Sequence, residues 1–375
     1  MYKKNYIALG LMSGSSLDGL DIALVRFQIT HQGDTLSLNN ILAKWDLLAA
    51  ETVEFKDNWV QRLQALPNAD AKTLWQTHAD FGRYMGAIVN TFLKQKNYHP
   101  DFIASHGHTV FHHPQQGFTC QIGDGGSIAA TTGITTICDF RNTDIALGGQ
   151  GTPLAPLADK LLFSDHTFCL NIGGIANITC ITDDKVAAFD VAPANQVLNW
   201  LAQQLGKSYD DKGNIAATGQ VDSDLFSRLN SVDYYHKNYP KSIDNQWIKE
   251  HFIPIVATAN CSVQNKLRTF CEHFGYQLAL AVKRIISKEQ LQLTDASMIA
   301  TGGGALNDFL LSCSQKYVNK ILPVKIVAPD LLLTQFKEAI LMGLMGVLRM
   351  ERIPNVLHVA TGASHDSVGG AVYVP

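Results

Sequence analysis

Tyr6-Ile7-Ala8-Leu9-Gly10-Leu11-Met12 is a short apolar run that breaks at Ser13-Gly14-Ser15-Ser16-Leu17-Asp18-Gly19 and resumes as Leu20-Asp21-Ile22-Ala23-Leu24-Val25-Arg26-Phe27. Apolar and β-branched residues on both sides of a Gly/Ser/Asp-rich break predict a β-hairpin. A Walker or dinucleotide-binding phosphate loop would instead need a helix directly after its glycines. The pattern returns further on: His166–Ile172 reads as a strand, Gly173-Gly174 as a turn and Ile175–Ile181 as a second strand. Two strand–glycine turn–strand units are what a duplicated α/β domain leaves behind, each half bringing one hairpin to a central cleft.

A chain of 375 residues exceeds what one hydrophobic core usually fills. We expect two domains, residues 1–160 with 357–375, and residues 161–356. The rest of the chain suits an open α/β sheet. Helical spacing of Leu74, Phe81, Met85, Val89 and Phe92 predicts a long helix around Ala71–Leu93. Strands follow at 101–105 and 135–138. The third strand of the second hairpin, Val186–Val191, is expected to end beside Asp190 and to lead into a helix near Pro193. An amphipathic helix carries Leu267, Phe270, Phe274, Leu278, Val282 and Ile285 on one face. Ala296–Ala300 runs into Thr301-Gly302-Gly303-Gly304, a late helix spans Thr334–Arg349, and the tail ends in a strand at 371–374.

Composition narrows the function classes. Hydrophobic residues make up 46% and charged residues 17%, with net charge −3, which leaves no basic footprint for nucleic acid or an anionic membrane. The seven cysteines are scattered without a CxxC pair, so they read as reduced, packed side chains and not as disulfides or a zinc site. Met1-Tyr2-Lys3-Lys4-Asn5 leads into too short an apolar run for a signal peptide, and no run of about 20 apolar residues appears. The expectation is a cytoplasmic protein.

Three glycine-rich turns at strand ends carry the strongest chemistry: Gly14–Asp21, Gly173-Gly174 and Gly302-Gly303-Gly304. Glycine lets backbone N–H groups approach an anion closely. Ser15 and Ser16 add hydroxyl donors, and Asp18 suits a hydrated Mg²⁺, which takes one or two carboxylates beside phosphate oxygens. Each turn alone is also an ordinary hairpin. Asp190 reads equally as a general base or as a helix cap. Arg141 and Asp144 read as a substrate-holding pair or as a salt bridge. His106, His108, His112 and His113 read better as satisfied histidines than as metal ligands.

Ser13-Gly14-Ser15-Ser16-Leu17-Asp18-Gly19-Leu20-Asp21 resembles the nucleotide-phosphate signature of anhydro-N-acetylmuramic acid kinases. The resemblance continues through Ser105-His106-Gly107-His108-Thr109, Asp139-Phe140-Arg141, Gly148–Leu154, Asn171–Asn177, Tyr209–Gly213, Thr301–Gly304, Lys337-Glu338-Ala339 and Thr361-Gly362-Ala363, in order along the whole chain. It implies an actin-like ATPase (ribonuclease H-like) fold with ATP in an interdomain cleft. It also implies an activity in cell-wall recycling: water opens the 1,6-anhydro ring while the freed O6 takes the γ-phosphate. Carried over residue by residue, Asp190 matches the water-activating aspartate. Arg141 and Glu338 match sugar contacts, and Gly14, Ser15, Ser16, Leu17, Asp18, Gly19, Leu20 and Asp21 match the nucleotide turn, together with Gly173, Gly174, Gly302, Gly303 and Gly304. ATP and Mg²⁺ are the implied cofactors, and the expected partners are a small amino sugar and a second copy of the chain, without nucleic acid or membrane. The chain departs from the family pattern at Val191–Ala194, at Ile243–Gln246 and at His108, where many members carry glutamine. Those departures keep two alternatives in view: a kinase of another amino sugar, and a nucleotide-binding homologue without turnover.

Overall fold

The computed structural model describes residues 2–14, 17–31, 41–181 and 186–375. The chain divides into two compact units, Met1–Leu162 with Phe336–Pro375, and Phe163–Gln335. The division falls inside the helix Leu331–Met350.

Thirteen strands are present among the described residues. In chain order they are β1 (Tyr2–Ser13), β2 (Gly19–His31), β3 (Leu42–Glu54), β4 (Phe102–Ser105), β5 (His108–His113), β6 (Phe118–Ile122), β7 (Thr136–Cys138), β8 (Phe168–Ile172), β9 (Ile175–Ile181), β10 (Val186–Pro193), β11 (Ala296–Thr301), β12 (Val324–Val327) and β13 (Ala371–Tyr373). The first unit's main sheet has the order β13-β7-β4-β1-β2-β3, and the second unit's has β10-β9-β8-β11-β12. In each, three consecutive antiparallel strands are followed by strands added parallel to the first of the three: β4 beside β1 and then β7 beside β4, or β11 beside β8 and then β12 beside β11. The repeated hairpin seen in the sequence is therefore a repeated whole sheet. The topology is that of a duplicated actin-like α/β fold.

Why the central strands are apolar on both faces follows from what covers them. Ala8, Leu9 and Leu11 of β1 and Phe102, Ile103 and Ala104 of β4 are all buried, as strands with both faces covered must be. One face packs Leu9, Leu11 and Ile22 against Phe81, Met85 and Val89 of the helix Ala71–Lys96. That helix is stopped by local chemistry at both ends. Asp70 accepts a bond from the Thr73 N–H at 2.8 Å, and Asn97 closes the far end at φ 56°. On the other face, the Leu331–Met350 helix comes so near that a Cβ on Gly10 would lie 1.8 Å from the Ala339 carbonyl oxygen. From Phe336 to Leu348 every residue of this helix except Glu338 is buried. By length and composition the helix could cross a bilayer; its burial is that of a core helix.

The second unit has its own core, built round the helix Val263–Glu289 and strands β8 to β11. Ser262 caps this helix by accepting from the Asn265 N–H, and Gln290 ends it in the left-handed region at φ 56°. Two expected boundaries shift. β10 continues past Asp190 to Pro193, and the next helix begins at Asn195.

Gly10→Ala tests the helix-on-strand contact. Backbone atoms cannot rotate away as a side-chain tip can, so the substitution should cost at least about 2 kcal/mol and lower the melting temperature. A wild-type melting temperature would show that the helix does not lie on β1.

Candidate active site

The first glycine turn joins β1 to β2 in a register that pairs Ser13 with Leu20 and Met12 with Asp21. Leu17 adopts φ 61° there, a left-handed conformation that a branched side chain rarely takes, and such strain collects at functional turns. Gly14, Asp18 and Gly19 lie in this turn, while Ser15 and Ser16 fall outside the described residues. Gly19 has no room for a Cβ, which would meet the Val53 carbonyl oxygen at 2.5 Å. Leu20 is fully buried and belongs to the core. Asp21 accepts a hydrogen bond from the Thr52 hydroxyl at 2.5 Å. Its pKa is raised, first by burial and then by the neighbouring Asp18 charge, with the Thr52 bond opposing. Two carboxylates near enough to repel are the donor chemistry that a hydrated Mg²⁺ fits. His108 stands beside the same turn, its Nδ1 3.5 Å from the Ser13 hydroxyl.

A second group of side chains in this unit surrounds Arg141. The guanidinium does not pair with Asp144. Asp144 is fully buried and holds the backbone instead, accepting from the Gly151 N–H at 2.7 Å and the Thr361 hydroxyl at 2.6 Å. Arg141 turns to His106, with Nε and Nη2 at 3.1 and 2.8 Å from the imidazole Nε2. Glu338 is solvent-accessible, yet its pKa is raised because desolvation outweighs the opposing charges of Lys337 and Arg141. The preceding residue, Lys337, forms a buried ion pair of 2.7 Å with Asp159 of the helix Ala155–Leu162. That pair fixes the rotation of the Leu331–Met350 helix and with it the direction in which Glu338 leaves. Among the described residues no set of three or more His, Cys, Asp or Glu side chains is placed to hold a metal, and the histidines from 106 to 113 do not form one.

In the second unit the glycines divide by task. Gly302 takes φ 82°, and a Cβ there would lie 2.7 Å from the Ile172 carbonyl oxygen, while a Cβ on Gly304 would strike the Ile172 side chain at 2.2 Å. Both let the chain cross β8 closely. Gly303 is different: nothing lies nearer than the Asn195 amide nitrogen at 3.7 Å. It faces a pocket of about 300 Å³ lined by Asn195, Leu198, Tyr209, Lys212, Leu306 and others. Gly173 and Gly174 cap the neighbouring helix, their carbonyls accepting from the Asn195 N–H at 3.1 Å and the Ala194 N–H at 2.9 Å. Their own Cβ positions meet nothing closer than 3.4 Å, leaving the outer side of the turn open. Sequence reading singled out Gly303 but missed the role of Asn195, Tyr209 and Lys212 as pocket walls. The recoverable signal is the Tyr209–Gly213 stretch already matched to the family, in which Lys212 and Gly213 take φ 54° and 75°.

Asp190 sits within β10, opposite Asn177, at a bulge where Val191 is the extra residue. Its carboxylate accepts from the Ile243 N–H at 3.0 Å and caps no helix, since the helix Asn195–Gln203 has Ala194 at its cap position. The capping alternative is therefore removed. The Asp190 backbone is held as well: its carbonyl accepts from the Tyr234 hydroxyl at 2.6 Å, and its N–H donates to the Lys241 carbonyl at 3.2 Å. Desolvation raises its pKa, and the single Ile243 bond only partly offsets this. Four of the departing residues find local explanations. Ala192 and Ala194 are fully buried, so their methyl groups enter the core. Asp244 caps the following turn through the Trp247 N–H, and Gln246 bonds Glu250.

The family model for anhydro-N-acetylmuramic acid kinase matches residues 5–375. The chain belongs to this family. An anhydro-N-acetylmuramic acid kinase of Coxiella burnetii is 32% identical over 401 residues, covering 100% of this chain and 98% of the relative. One from Shewanella sediminis is 33% identical over 390 residues, covering 98% of each. Another, from Synechococcus elongatus, is 32% identical and covers 97% of this chain and 98% of its own. A solved ROK family glucokinase from Streptomyces griseus, in complex with glucose and AMPPNP, aligns over 90% of this chain and 98% of that one at TM-score 0.39 and 11% identity, too remote to say more. Membership of the family makes the chain a sugar kinase acting on a small amino-sugar substrate, with ATP as phosphoryl donor.

Gly303→Val tests the pocket. Because the position is open, the variant should fold with a wild-type melting temperature. ATP at a hundredfold excess over its Kd should stabilise the wild type by about 2.7 kcal/mol, and the variant should lose most of that rise. An undiminished thermal shift would remove Gly303 from the nucleotide site.

Proposed function

We propose that Asp190 is the general base of the family reaction in this chain, converting 1,6-anhydro-N-acetylmuramic acid, water and ATP into N-acetylmuramic acid 6-phosphate and ADP. The supporting observation is a half-buried carboxylate on a rigid strand, with no salt-bridge partner among the described residues of its unit and a raised pKa. Water is a weak nucleophile near neutral pH, and a base of raised pKa is better matched to taking its proton. Water oxygen bonds to C1 as the C1–O6 bond breaks, and its proton passes to Asp190. The released O6 bonds to the γ-phosphorus as the bond to the β,γ-bridging oxygen breaks, leaving ADP.

The remaining roles follow from the chemistry of each group. Arg141 and Glu338 bind the sugar, one offering fixed N–H donors and the other a carboxyl group. The Gly14–Asp21 turn, Gly173-Gly174 and Gly302–Gly304 take the nucleotide, with Gly303 and Asn195 on the pocket side. Asp18, with Asp21 near it, would hold Mg²⁺, which when bound shields phosphate charge. Work in cell-wall recycling, a cytoplasmic location, a homodimeric state and the absence of nucleic-acid or membrane partners complete the proposal. The substrate class supports the recycling role and the location, the lack of a basic charge excess supports the absence of nucleic-acid and anionic-membrane partners, and the dimer is the commonest symmetric assembly.

Asp190→Asn keeps an oxygen that can accept from the Ile243 N–H, so the protein should fold and bind ATP. Turnover should fall by about 10²–10⁴-fold. In the wild type, the raised Asp190 pKa places loss of kcat/KM on the acid side above the ordinary aspartate value of about 3.9. Activity should already be falling as pH drops toward that value, because the base is then protonated. Near-normal turnover by Asp190→Asn would contradict the assignment and move the search to Glu338.

A further inference from the structure

Arg141 is held in an unusual way. A partly buried arginine commonly rests on a carboxylate, which matches its planar fork and cancels its charge. Here two of its N–H groups converge on one nitrogen of a histidine. A guanidinium only donates, so Nε2 of His106 must carry a lone pair and Nδ1 the proton. Nδ1 lies 2.9 Å from the Gly107 carbonyl oxygen, which accepts that proton. The backbone is shaped for this bond. Gly107 has φ 72°, and a Cβ there would lie 2.5 Å from the Ile122 carbonyl oxygen. The His106 N–H donates to the Leu11 carbonyl of β1 at 3.0 Å, which anchors the ring to the sheet centre. His106 is 6% exposed, and burial together with the Arg141 charge pushes its pKa down to about 4. The ring is therefore biased to its neutral form near neutral pH.

The consequence is electrostatic. A neutral acceptor fixes the guanidinium plane and leaves the positive charge intact. Arg141 pays for this in desolvation, which lowers its pKa, and the Glu338 charge is the opposing influence. Glu338 is itself biased toward its neutral form. An oriented cation kept short of a full counter-charge suits an anionic ligand group.

We propose that His106 is a positioning residue that orients Arg141 without neutralising it, reserving the arginine charge for the carboxylate of the muramic acid substrate. This rests on the reading that Arg141 meets the sugar. The experiment compares Kd, by titration calorimetry in the presence of a non-hydrolysable ATP analogue, for two ligands: 1,6-anhydro-N-acetylmuramic acid and the 1,6-anhydro-N-acetylglucosamine that lacks the acidic arm. His106→Glu supplies the missing counter-charge. It should weaken the acidic sugar by about tenfold or more and leave the neutral sugar and the nucleotide within about twofold. His106→Gln, a neutral acceptor of similar reach, should keep the wild-type preference for the acidic sugar.

Arg141→Gln separates the two levels of failure. If it leaves the acidic sugar's Kd unchanged, Arg141 does not meet the carboxylate and the underlying reading falls. If it weakens the acidic sugar while His106→Glu weakens both sugars equally or neither, only the role given to His106 is overturned. Should His106→Glu fail to fold, His106→Gln and His106→Met decide the same point. Met lacks a strong acceptor and should lose the preference that Gln keeps, and equal affinities of the two variants overturn the proposal.

Discussion

The first unit depends on one close approach, the Leu331–Met350 helix against the backbone of β1 at Gly10. Without a side chain at that position, strand and helix backbones meet directly. The helix can then lie only at one height and rotation on the sheet. The buried Lys337–Asp159 ion pair selects that rotation, and every neighbouring position except Glu338 points into protein. Glu338 is thereby set near Arg141, which β4 and the His106–Gly107 link hold from the other side. A contact made of missing atoms thus decides where Glu338 sits.

In the second unit the corresponding constraint is what surrounds Asp190. Every group found to bond it is a main-chain amide, a main-chain carbonyl or the Tyr234 hydroxyl. A neighbouring cation would stabilise the carboxylate and weaken it as a base, whereas one amide bond orients it with a smaller loss of basicity. The bulge at Val191 adds direction, since the extra residue re-aims the strand beside the carboxylate. Asp190 and Arg141 share a logic: each charge is oriented by neutral partners.

Much of the fold was legible because the sequence repeats itself. The hairpin around Gly14–Gly19 and its echo at Gly173-Gly174 predicted the duplication, and helical spacing found the Ala71–Lys96 and Val263–Glu289 helices within a few residues. The length of β10 was not legible, because Val191-Ala192-Pro193 reads as a break until the bulge and its partner strand are seen. Composition gave Gly302, Gly303 and Gly304 one role, although two of them relieve a clash with β8 and only Gly303 opens on a pocket. The motifs likewise marked His106 and Arg141 separately. Their bond joins positions far apart in sequence through a tautomer that only the neighbours' chemistry defines. The same holds for Asp144, which looked like a partner for Arg141 and in fact ties Gly151 to Thr361.

In the proposed reaction water enters the sugar as the phosphoryl group does. Mass spectrometry of the product formed from 1,6-anhydro-N-acetylmuramic acid and ATP in ¹⁸O-enriched water reads this out. The expected product is a sugar heavier than the substrate by one water and one phosphoryl group, formed one-for-one with ADP, carrying a single ¹⁸O outside the phosphate. A product heavier by the phosphoryl group alone, or ADP released with ¹⁸O in free phosphate and the sugar unchanged, would contradict it.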